Sequence, residues 1–270
     1  MNFLKDKKTI IGMIHVDPLP GTPKYTPPFS SIVVKAIREA LLYKKAGIDV
    51  IGLENMHDVP YLKQQAGPEI VAAMAVVAYE VKNTTGLPCG IQILAGANRE
   101  ALSVALAAGL DFIRAEGFIF AHIADEGIMD GCAGELLRYR RQIGADKISI
   151  FTDIKKKHSS HSITEDIDIA ETAYTAAFFL SDGVIVTGGK TGDSADLEEV
   201  KKVKKAVNIP VLVGSGVTLE NVDSYLEIAD ALIVGSYFKQ GGYWSYGVDF
   251  ERVKIFMDKV NEIRNHLTHK

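Results

Sequence analysis

The sequence has little cysteine, no long apolar run and no marked excess of either charge. Its two cysteines, Cys89 in an apolar run and Cys132 in a glycine-rich stretch, are too few for a disulfide scaffold and suit a reducing compartment. No uninterrupted apolar segment approaches the roughly 18 residues of a membrane span, and the apolar run near the N-terminus is too short for a secretory signal. We therefore expect a cytoplasmic protein without a transmembrane segment.

The charge balance argues against nucleic acid as the partner. Thirty Lys and Arg residues stand against 34 Asp and Glu residues, and the formal net charge is −4. This composition provides no overall basic surface, although a local basic patch stays open. With 47% hydrophobic and 24% charged residues, the chain is typical of a soluble globular protein with enough apolar material for a core.

Short apolar, β-branched runs recur along the 270 residues, and most are followed by a segment with helical spacing. This alternation is typical of βα units around a parallel sheet. Eight such runs without a linker predict a single α/β domain over residues 1–270, a closed (β/α)8 TIM barrel. An open doubly wound sheet is the alternative, which the absence of Gly-x-Gly-x-x-Gly after the first strand disfavours. The runs begin at Ile10, Val50, Cys89, Phe112, Ile148, Gly183, Val211 and Ala231.

A weak internal repeat supports this count. The stretches "AGIDVI", "AGLDFI", "LSDGVIV" and "IADALIV" each lead through an aspartate into an even-numbered strand. Helices are predicted to end at Gly47 and Gly109, since glycine favours the left-handed conformation at a helix C-terminus. Two connections, after strands one and four, are longer than a barrel requires and are expected on the catalytic face as lids or binding walls.

Glycines follow three consecutive predicted strands near the end of the chain. The loops after strands seven and eight of a TIM barrel commonly bind phosphate through backbone N–H groups and the N-terminus of a short helix. The glycines make either tight turns that any barrel needs or a phosphate cradle, and their location favours the cradle. The predicted phosphate-binding residues are Gly188, Gly189, Gly214, Ser215, Gly216, Gly235 and Ser236.

Two further features extend the predicted cradle. A helix is expected to open after Gly216, with Thr218 as its cap and Asn221 three residues later, so that its positive end faces the anion. Lys190 follows the glycines of strand six and would add a cation. A phosphorylated small molecule is therefore the expected ligand.

Polar side chains stand at the carboxyl ends of the first five strands, where barrel enzymes carry their catalytic groups. Residues two apart share a strand face, so each such pair would point the same way. The pairs are His15 with Asp17, Arg114 with Glu116, and Asp153 with Lys155. The predicted catalytic residues are His15, Asp17, Glu54, Glu116, Asp153 and Lys155.

Some of these residues have competing interpretations. Arg114 and Glu116 are as consistent with a structural ion pair as with a functional one. Glu54 ends an apolar strand, where dry surroundings would raise its pKa and suit it to acid–base chemistry. Lys155 could pair with a carboxylate or form a Schiff base, yet the adjoining residues 156–157 make a solvated basic run the simpler interpretation.

A divalent metal is a possible cofactor. Asp153, His158 and His161 offer a carboxylate and two imidazoles, which are common metal ligands. The two histidines, however, lie three apart in a loop and lack the helical spacing that makes a His-x-x-x-His motif persuasive. An exposed polar loop or phosphate-contacting histidines are the alternatives.

Four segments together resemble the BtpA/SgcQ family: "IGMIHVDPLPGTPKY", "GIDVIGLENMHDVPY", "FIRAEGF" and "FTDIKKKHSSH". The resemblance implies a (β/α)8 fold, and the C-terminal third is also similar to ribulose-phosphate-binding barrels. It associates the chain with photosystem I biogenesis or with sugar metabolism, without a defined reaction. The family's recurrent polar residues would map onto His15, Asp17, Glu54, Asn55, Glu116, Asp153, Lys155 and His158.

Three functions follow as hypotheses. The first is an enzyme that anchors a phosphorylated sugar or nucleoside-type molecule and acts by acid–base isomerisation or lyase chemistry, since so many ionisable groups at one rim would be costly for a scaffold. The second is a non-catalytic biogenesis factor, which predicts an exposed apolar or basic patch. The third is a metal-dependent hydrolase. A homo-oligomer is compatible with each of them.

Overall fold

The predicted eight barrel strands are confirmed by a computed structural model that describes Leu4 and residues 7–156, 158–189 and 193–268. Eight parallel strands close into a barrel in the order first, eleventh, tenth, ninth, seventh, fourth, third and second of the chain. The strands are β1 (Thr9–His15), β2 (Val50–Glu54), β3 (Cys89–Gln92), β4 (Phe112–Ala115), β5 (His122–Ala124), β6 (Gly127–Met129), β7 (Ser149–Ile154), β8 (Ser159–Ser160), β9 (Gly183–Val186), β10 (Val211–Val213) and β11 (Ala231–Val234).

Helices alternate with the barrel strands and cover the outside of the barrel. The two helix ends predicted at glycines are confirmed, because Gly47 and Gly109 follow their helices in the left-handed conformation with φ of 87° and 65°. The helices are α1 (Phe29–Ala46), α2 (Pro68–Thr85), α3 (Asn98–Ala108), α4 (Ala133–Gln142), α5 (Ile169–Phe178), α6 (Leu197–Ala206), α7 (Val222–Ile228) and α8 (Phe250–Thr268). Within the described residues, none of these helices is both long and apolar enough to cross a membrane.

Large side chains fill the barrel interior where neighbouring strands carry glycine. A Cβ atom at Gly90 would lie 2.2 Å from the ring of Phe112, and one at Gly52 would lie 2.3 Å from the sulfur of Met13. Alternating small and large residues is how a closed barrel fits bulky side chains into a narrow interior. The interior is therefore a packed core rather than a channel.

The four repeated aspartates all make one contact at the amino-terminal end of the barrel. Each carboxylate accepts a 2.8 Å hydrogen bond from a backbone N–H at the start of the neighbouring barrel strand, which is β1, β3, β7 or β10. The donor and acceptor pairs are Ile10 with Asp49, Cys89 with Asp111, Ile150 with Asp182, and Val211 with Asp230. The sequence repeat thus corresponds to a repeated contact between adjacent strands. We call these four aspartate contacts the aspartate clamps.

A basic side chain completes each aspartate clamp. Lys82 of α2, Arg140 of α4 and Lys204 of α6 reach their aspartates at 2.7, 2.7 and 2.6 Å, and Arg264 of α8 contacts the fourth. Each of these helices is joined to its barrel strand through the same carboxylate. The clamps therefore couple strand pairing to helix packing at the end of the barrel opposite the mouth.

We expect Asp182→Ala to lower the free energy of unfolding by about 2 kcal/mol, because it removes a hydrogen bond to a charged acceptor and leaves Arg140 without its partner. Urea unfolding followed by circular dichroism measures the change. The matched control is Asp146→Ala, which breaks an exposed ion pair with Arg141 and should cost less than about 0.5 kcal/mol. Equal losses of unfolding free energy in the two variants would contradict a stabilising role for the aspartate clamp.

Candidate active site

A cavity of about 570 Å³ lies at the carboxyl ends of the barrel strands. This volume is within the range of small-molecule sites. Loops after β10 and β11 bound one side, and β2, β4 and the segment that follows β4 contribute to the opposite side. The cavity thus spans the mouth of the barrel, where the catalytic groups of such folds lie.

Five of the seven predicted phosphate-binding residues line this cavity: Gly214, Ser215, Gly216, Gly235 and Ser236. We call them the glycine cradle. Their backbones come from two adjacent strand ends, so both loops border the same space. This is the arrangement that commonly receives phosphate in TIM barrels.

The glycines after β9 do not join the cradle. Gly188 and Gly189 are absent from the cavity wall. A Cβ atom at Gly188 would lie 2.2 Å from the carbonyl oxygen of Asp193, so this glycine is needed for close packing of its own loop. Lys190, the predicted cation, lies outside the described residues.

The helix expected after Gly216 begins later than predicted. The side-chain oxygen of Asn221 accepts a 2.8 Å hydrogen bond from the Thr218 N–H, and its amide donates to the Gly216 carbonyl at 2.8 Å. These bonds hold residues 216–221 as a compact turn, and α7 starts only at Val222. The Thr218 hydroxyl oxygen accepts a 3.3 Å hydrogen bond from the Glu220 N–H, as a cap would, but it caps this turn, and the helix itself starts later than predicted.

A cation beside the cradle, Arg252, comes from α8 and was not predicted. Its guanidinium lies over the ring of Tyr237 at 4.4 Å, and its Nε donates a 2.7 Å hydrogen bond to the Tyr237 carbonyl. Both residues line the cavity. No motif marks Arg252 in the sequence, because only folding brings the last helix next to the loop after β11.

His15 lies at the end of β1, and the single tryptophan holds its ring. Its Nδ1 is 2.7 Å from the carbonyl oxygen of Trp244, which can only accept, so Nδ1 carries the proton. The other ring nitrogen lies beside the cradle, since a Cβ atom at Gly235 would be 3.3 Å from it. Trp244 also packs on the ring of His57, with ring centroids 4.9 Å apart. The glycine-rich aromatic stretch after the last strand is the only sequence signal for this contact.

Asp17 does not join His15 at the cavity. β1 ends at His15, so the strand alternation that pairs the two residues does not extend to Asp17. Its carboxylate instead forms an ion pair with Lys35 of α1. The long connection after strand one packs nearby, where the Leu19 N–H donates to Asp58 at 2.8 Å, and it does not line the cavity.

Glu54 ends β2, is 9% exposed and lines the cavity. The neighbouring Asn55 has a structural role: its amide donates to Asp58 at 2.8 Å and its oxygen accepts from the Leu94 N–H at 2.8 Å. These bonds fix the loop that follows Glu54. The structure therefore presents Glu54, and not Asn55, to the cavity.

Arg114 pairs with Asp153 rather than with Glu116, which corrects the pairing considered from the sequence. Its Nε and one terminal nitrogen donate to the Asp153 carboxylate at 3.1–3.2 Å. Burial opposes the charge of Arg114, but the carboxylates of Asp153, Glu54 and Glu116 outweigh it and raise the pKa of the guanidinium. Arg114 faces the cavity, whereas Asp153 lies behind it.

Glu116 pairs with Lys156, whose Nζ lies 2.8 Å from the carboxylate. Gln92 donates to the other carboxylate oxygen at 3.0 Å. Burial opposes ionisation of Glu116, yet the ammonium of Lys156 and the guanidinium of Arg114 outweigh it and hold its pKa below the usual range. In the same way, Glu116 raises the pKa of Lys156 against the effect of burial. The cavity therefore contains a charged carboxylate–ammonium pair.

Lys155 takes no part in this pair. β7 ends at Ile154 and Lys155 has a φ of 49°, so the chain turns and the side chain leaves the strand face. Its Nζ donates to the carbonyl of Thr164 at 2.8 Å. The predicted lysine is thus replaced at the cavity by Lys156, which the sequence placed in a solvated run; Lys157 lies outside the described residues.

The predicted metal set is not assembled. His158 lines the cavity, whereas His161 binds the Lys156 carbonyl through Nε2 at 3.0 Å, and Asp153 is occupied by Arg114. Among the residues that the structure describes, no group of three His, Cys, Asp or Glu side chains is placed to hold a metal ion.

The long connection after β4 forms a wall of the cavity. It folds into the antiparallel hairpin of β5 and β6, which pairs with β8 in a three-stranded sheet. The hairpin tip, Asp125 and Glu126, lines the cavity. The expectation of a binding wall on the catalytic face agrees with this position.

Residues 6–262 match the BtpA family. The chain belongs to the BtpA family. An uncharacterised mitochondrial protein of Caenorhabditis elegans is 52% identical over 260 residues, covering 94% of each chain. The photosystem I biogenesis protein BtpA of Synechocystis is 32% identical over 254 residues, 94% of this chain and 88% of that protein.

The barrel is also similar in fold to solved TIM-barrel structures. A geranylgeranylglyceryl phosphate synthase from Thermoplasma acidophilum, in complex with its substrate sn-glycerol-1-phosphate, aligns over 97% of this BtpA-family chain and 96% of its own with a TM-score of 0.59. At 18% identity, this likeness establishes the fold. The predicted (β/α)8 TIM barrel is thereby confirmed.

We expect the stability of the protein to fall between pH 6.5 and pH 4 through His122. Burial, together with the charges of Lys156 and His161, lowers the pKa of His122 to about 4 in the folded protein. Between pH 6.5 and pH 4 the unfolded chain therefore binds a proton at His122 that the folded chain does not bind, and protonation favours unfolding. After allowance for solvent screening of this partly exposed group, the free energy of unfolding should decrease by up to about 2 kcal/mol as the pH falls through this window. Urea unfolding across the pH range measures it.

His122→Gln should flatten this part of the pH profile. The control is His266→Gln on the exposed face of α8, which should leave the profile unchanged. An unchanged slope in His122→Gln would contradict the assignment.

Proposed function

We propose that this BtpA-family barrel is an enzyme that binds a phosphorylated small molecule, a sugar phosphate or a nucleoside-type phosphate, and acts by acid–base isomerisation or lyase chemistry. The observation that carries the proposal is one cavity with the glycine cradle and Arg252 on one side and Glu54 with the Glu116–Lys156 pair on the other. A phosphate group needs the first side, and proton transfer needs the second.

The cradle supports phosphate binding through backbone donors and a nearby cation. N–H groups of the two loops supply hydrogen bonds, and the always-charged guanidinium of Arg252 adds electrostatic attraction. Held in this way, the ligand would extend across the barrel mouth towards β2 and β4. Anchoring at a remote group is an efficient way to orient the reacting atoms.

Glu54 is proposed as the base that removes a proton from a carbon next to a carbonyl group. The electrons of that C–H bond would move onto the carbonyl oxygen, and the ammonium of Lys156 would stabilise the resulting enediolate. Return of the proton to the adjacent carbon completes an isomerisation; loss of a bond one carbon further completes a lyase reaction. His15 is proposed to move a proton between the oxygens of the ligand.

The remaining predicted catalytic residues receive supporting roles in this proposal. Asp153 positions Arg114 through its two-point contact, and Glu116 holds Lys156 charged. Asp17 and Lys155 lie away from the cavity and are assigned no contact with the ligand. A cytoplasmic location and a homo-oligomer stay predictions from the sequence.

Ser236→Asp should abolish the thermal shift that glucose 6-phosphate produces in the wild-type protein, because it adds a negative charge to the cradle. At 100 times its dissociation constant a ligand stabilises by roughly 2.7 kcal/mol, which is a shift of several degrees. Ser224→Asp, with the same charge change on the exposed face of α7, should keep the shift. The absence of a shift in the wild-type protein with every phosphosugar and nucleotide tried would defeat the proposal.

Glu54→Gln should retain ligand binding and lose exchange of the ligand's carbon-bound protons in D2O, followed by NMR. The loss should be at least about 100-fold, the usual contribution of a general base. Glu227→Gln, an exposed substitution on α7, is the control. Exchange at the wild-type rate in Glu54→Gln would remove this residue from the chemistry.

A second candidate, a non-catalytic assembly factor, is favoured by an exposed apolar face at the end of α5. Tyr174, Phe178, Phe179 and Leu180 are 63%, 71%, 45% and 67% exposed. Such a patch is what this hypothesis predicts. The assembly-factor hypothesis predicts that the double substitution Phe178→Ser and Leu180→Ser impairs the cellular role, whereas Glu54→Gln does not.

A further inference from the structure

The two ends of the cavity differ in chemistry. The cradle end brings the cation Arg252 beside two glycine-bearing loops, which suits an anion. The far end, across the barrel mouth, presents the carboxylates of Glu54, Asp125 and Glu126. It is walled by Met56, Tyr61 and Leu94. A ligand that spans the cavity therefore meets opposite electrostatic environments at its two ends.

Glu126 is the most informative residue of the far end. One of its carboxylate oxygens is buried and has no hydrogen-bond partner among the described residues. A carboxylate can only accept hydrogen bonds, so the missing partner must be a donor. Glu116 and Asp153 differ in this respect, because Glu116 pairs with Lys156 and Asp153 with Arg114.

Carboxylates outnumber cations at the far end, where Arg114 and Lys156 are each paired with a carboxylate. The phenol of Tyr61 lies at this end, and its pKa is raised first by burial and then by the charges of Glu54, Glu116, Asp58 and Glu126. A second phosphate or a carboxylate at this end of the ligand would be repelled. An ammonium group would be attracted and could donate up to three hydrogen bonds.

We propose that the preferred ligands are phosphate esters that carry an amino group at the end opposite the phosphate, bound by Glu126 and Asp125 of the β5–β6 hairpin tip. The hairpin thereby becomes the specificity element of the site. This inference rests on the proposed function, because the phosphate in the glycine cradle decides which end of the ligand reaches the hairpin.

Isothermal titration calorimetry with glucosamine 6-phosphate and glucose 6-phosphate tests the proposal. The two differ only by an ammonium in place of a hydroxyl, and we expect the amino sugar to bind about tenfold more tightly in low salt. Glu126→Gln should reduce this preference to less than about threefold. Asp125→Asn is a second variant at the exposed tip, and Glu135→Gln on α4 is the matched control that should keep the full preference.

A second pair of ligands tests the sign of the field. Fructose 1,6-bisphosphate should bind more weakly than fructose 6-phosphate, because its second phosphate would face the carboxylates. Tighter binding of the bisphosphate would overturn the proposal.

The outcomes separate this inference from the proposed function. Equal affinity for the two hexose phosphates, or a preference that survives both Glu126→Gln and Asp125→Asn, overturns the amino-group proposal while phosphate binding stands. Failure of all four phosphates to bind the wild-type protein overturns the proposed function and the inference with it. A preference lost in both hairpin variants and kept in Glu135→Gln supports the proposal.

Discussion

The aspartate clamps are the contact on which the rest of this barrel depends. Parallel strands must start in register for the sheet to close, and each of four carboxylates joins an N–H at the start of one strand to the chain entering its neighbour. A basic side chain from the adjacent helix neutralises each carboxylate. Hydrogen bonds to a charged group are stronger than neutral ones, so this end of the barrel is held without any contribution from the mouth.

Because contacts at the amino-terminal end stabilise the barrel, its mouth can carry buried charged groups that lower the free energy of unfolding. Arg114–Asp153 and Glu116–Lys156 are both buried pairs, and the desolvation of such charges offsets much of their attraction. Their effect is instead on the cavity, where they keep one guanidinium and one ammonium charged and fixed in position. Such fixed charges are what electrostatic stabilisation of a reacting anion requires.

Membership of the BtpA family establishes the fold of this chain and leaves its chemistry to the site. The solved barrel with a TM-score of 0.59 shares the architecture at 18% identity, and unrelated reactions occur on that architecture. What distinguishes this site is the combination of the glycine cradle with an acidic wall built by the β5–β6 hairpin. The hairpin replaces a simple loop, and its pairing with β8 ties the acidic wall to the segment that carries Lys156.

The sequence by itself determined the eight strands, the glycine helix ends and the loops that bring five of the seven predicted phosphate-binding residues to the cavity, because these depend on local hydrophobic pattern and on backbone conformations that few residues adopt. Only the tertiary structure decided which charged side chains pair with one another and which of them reach the cavity. Arg114 meets Asp153 because β4 lies beside β7, and Lys156 replaces Lys155 because the chain turns at a positive φ where β7 ends. Arg252 reaches the cradle because barrel closure brings α8 beside residues 236–238, which follow β11. Contacts between residues distant in sequence depend on that closure, which no local pattern records.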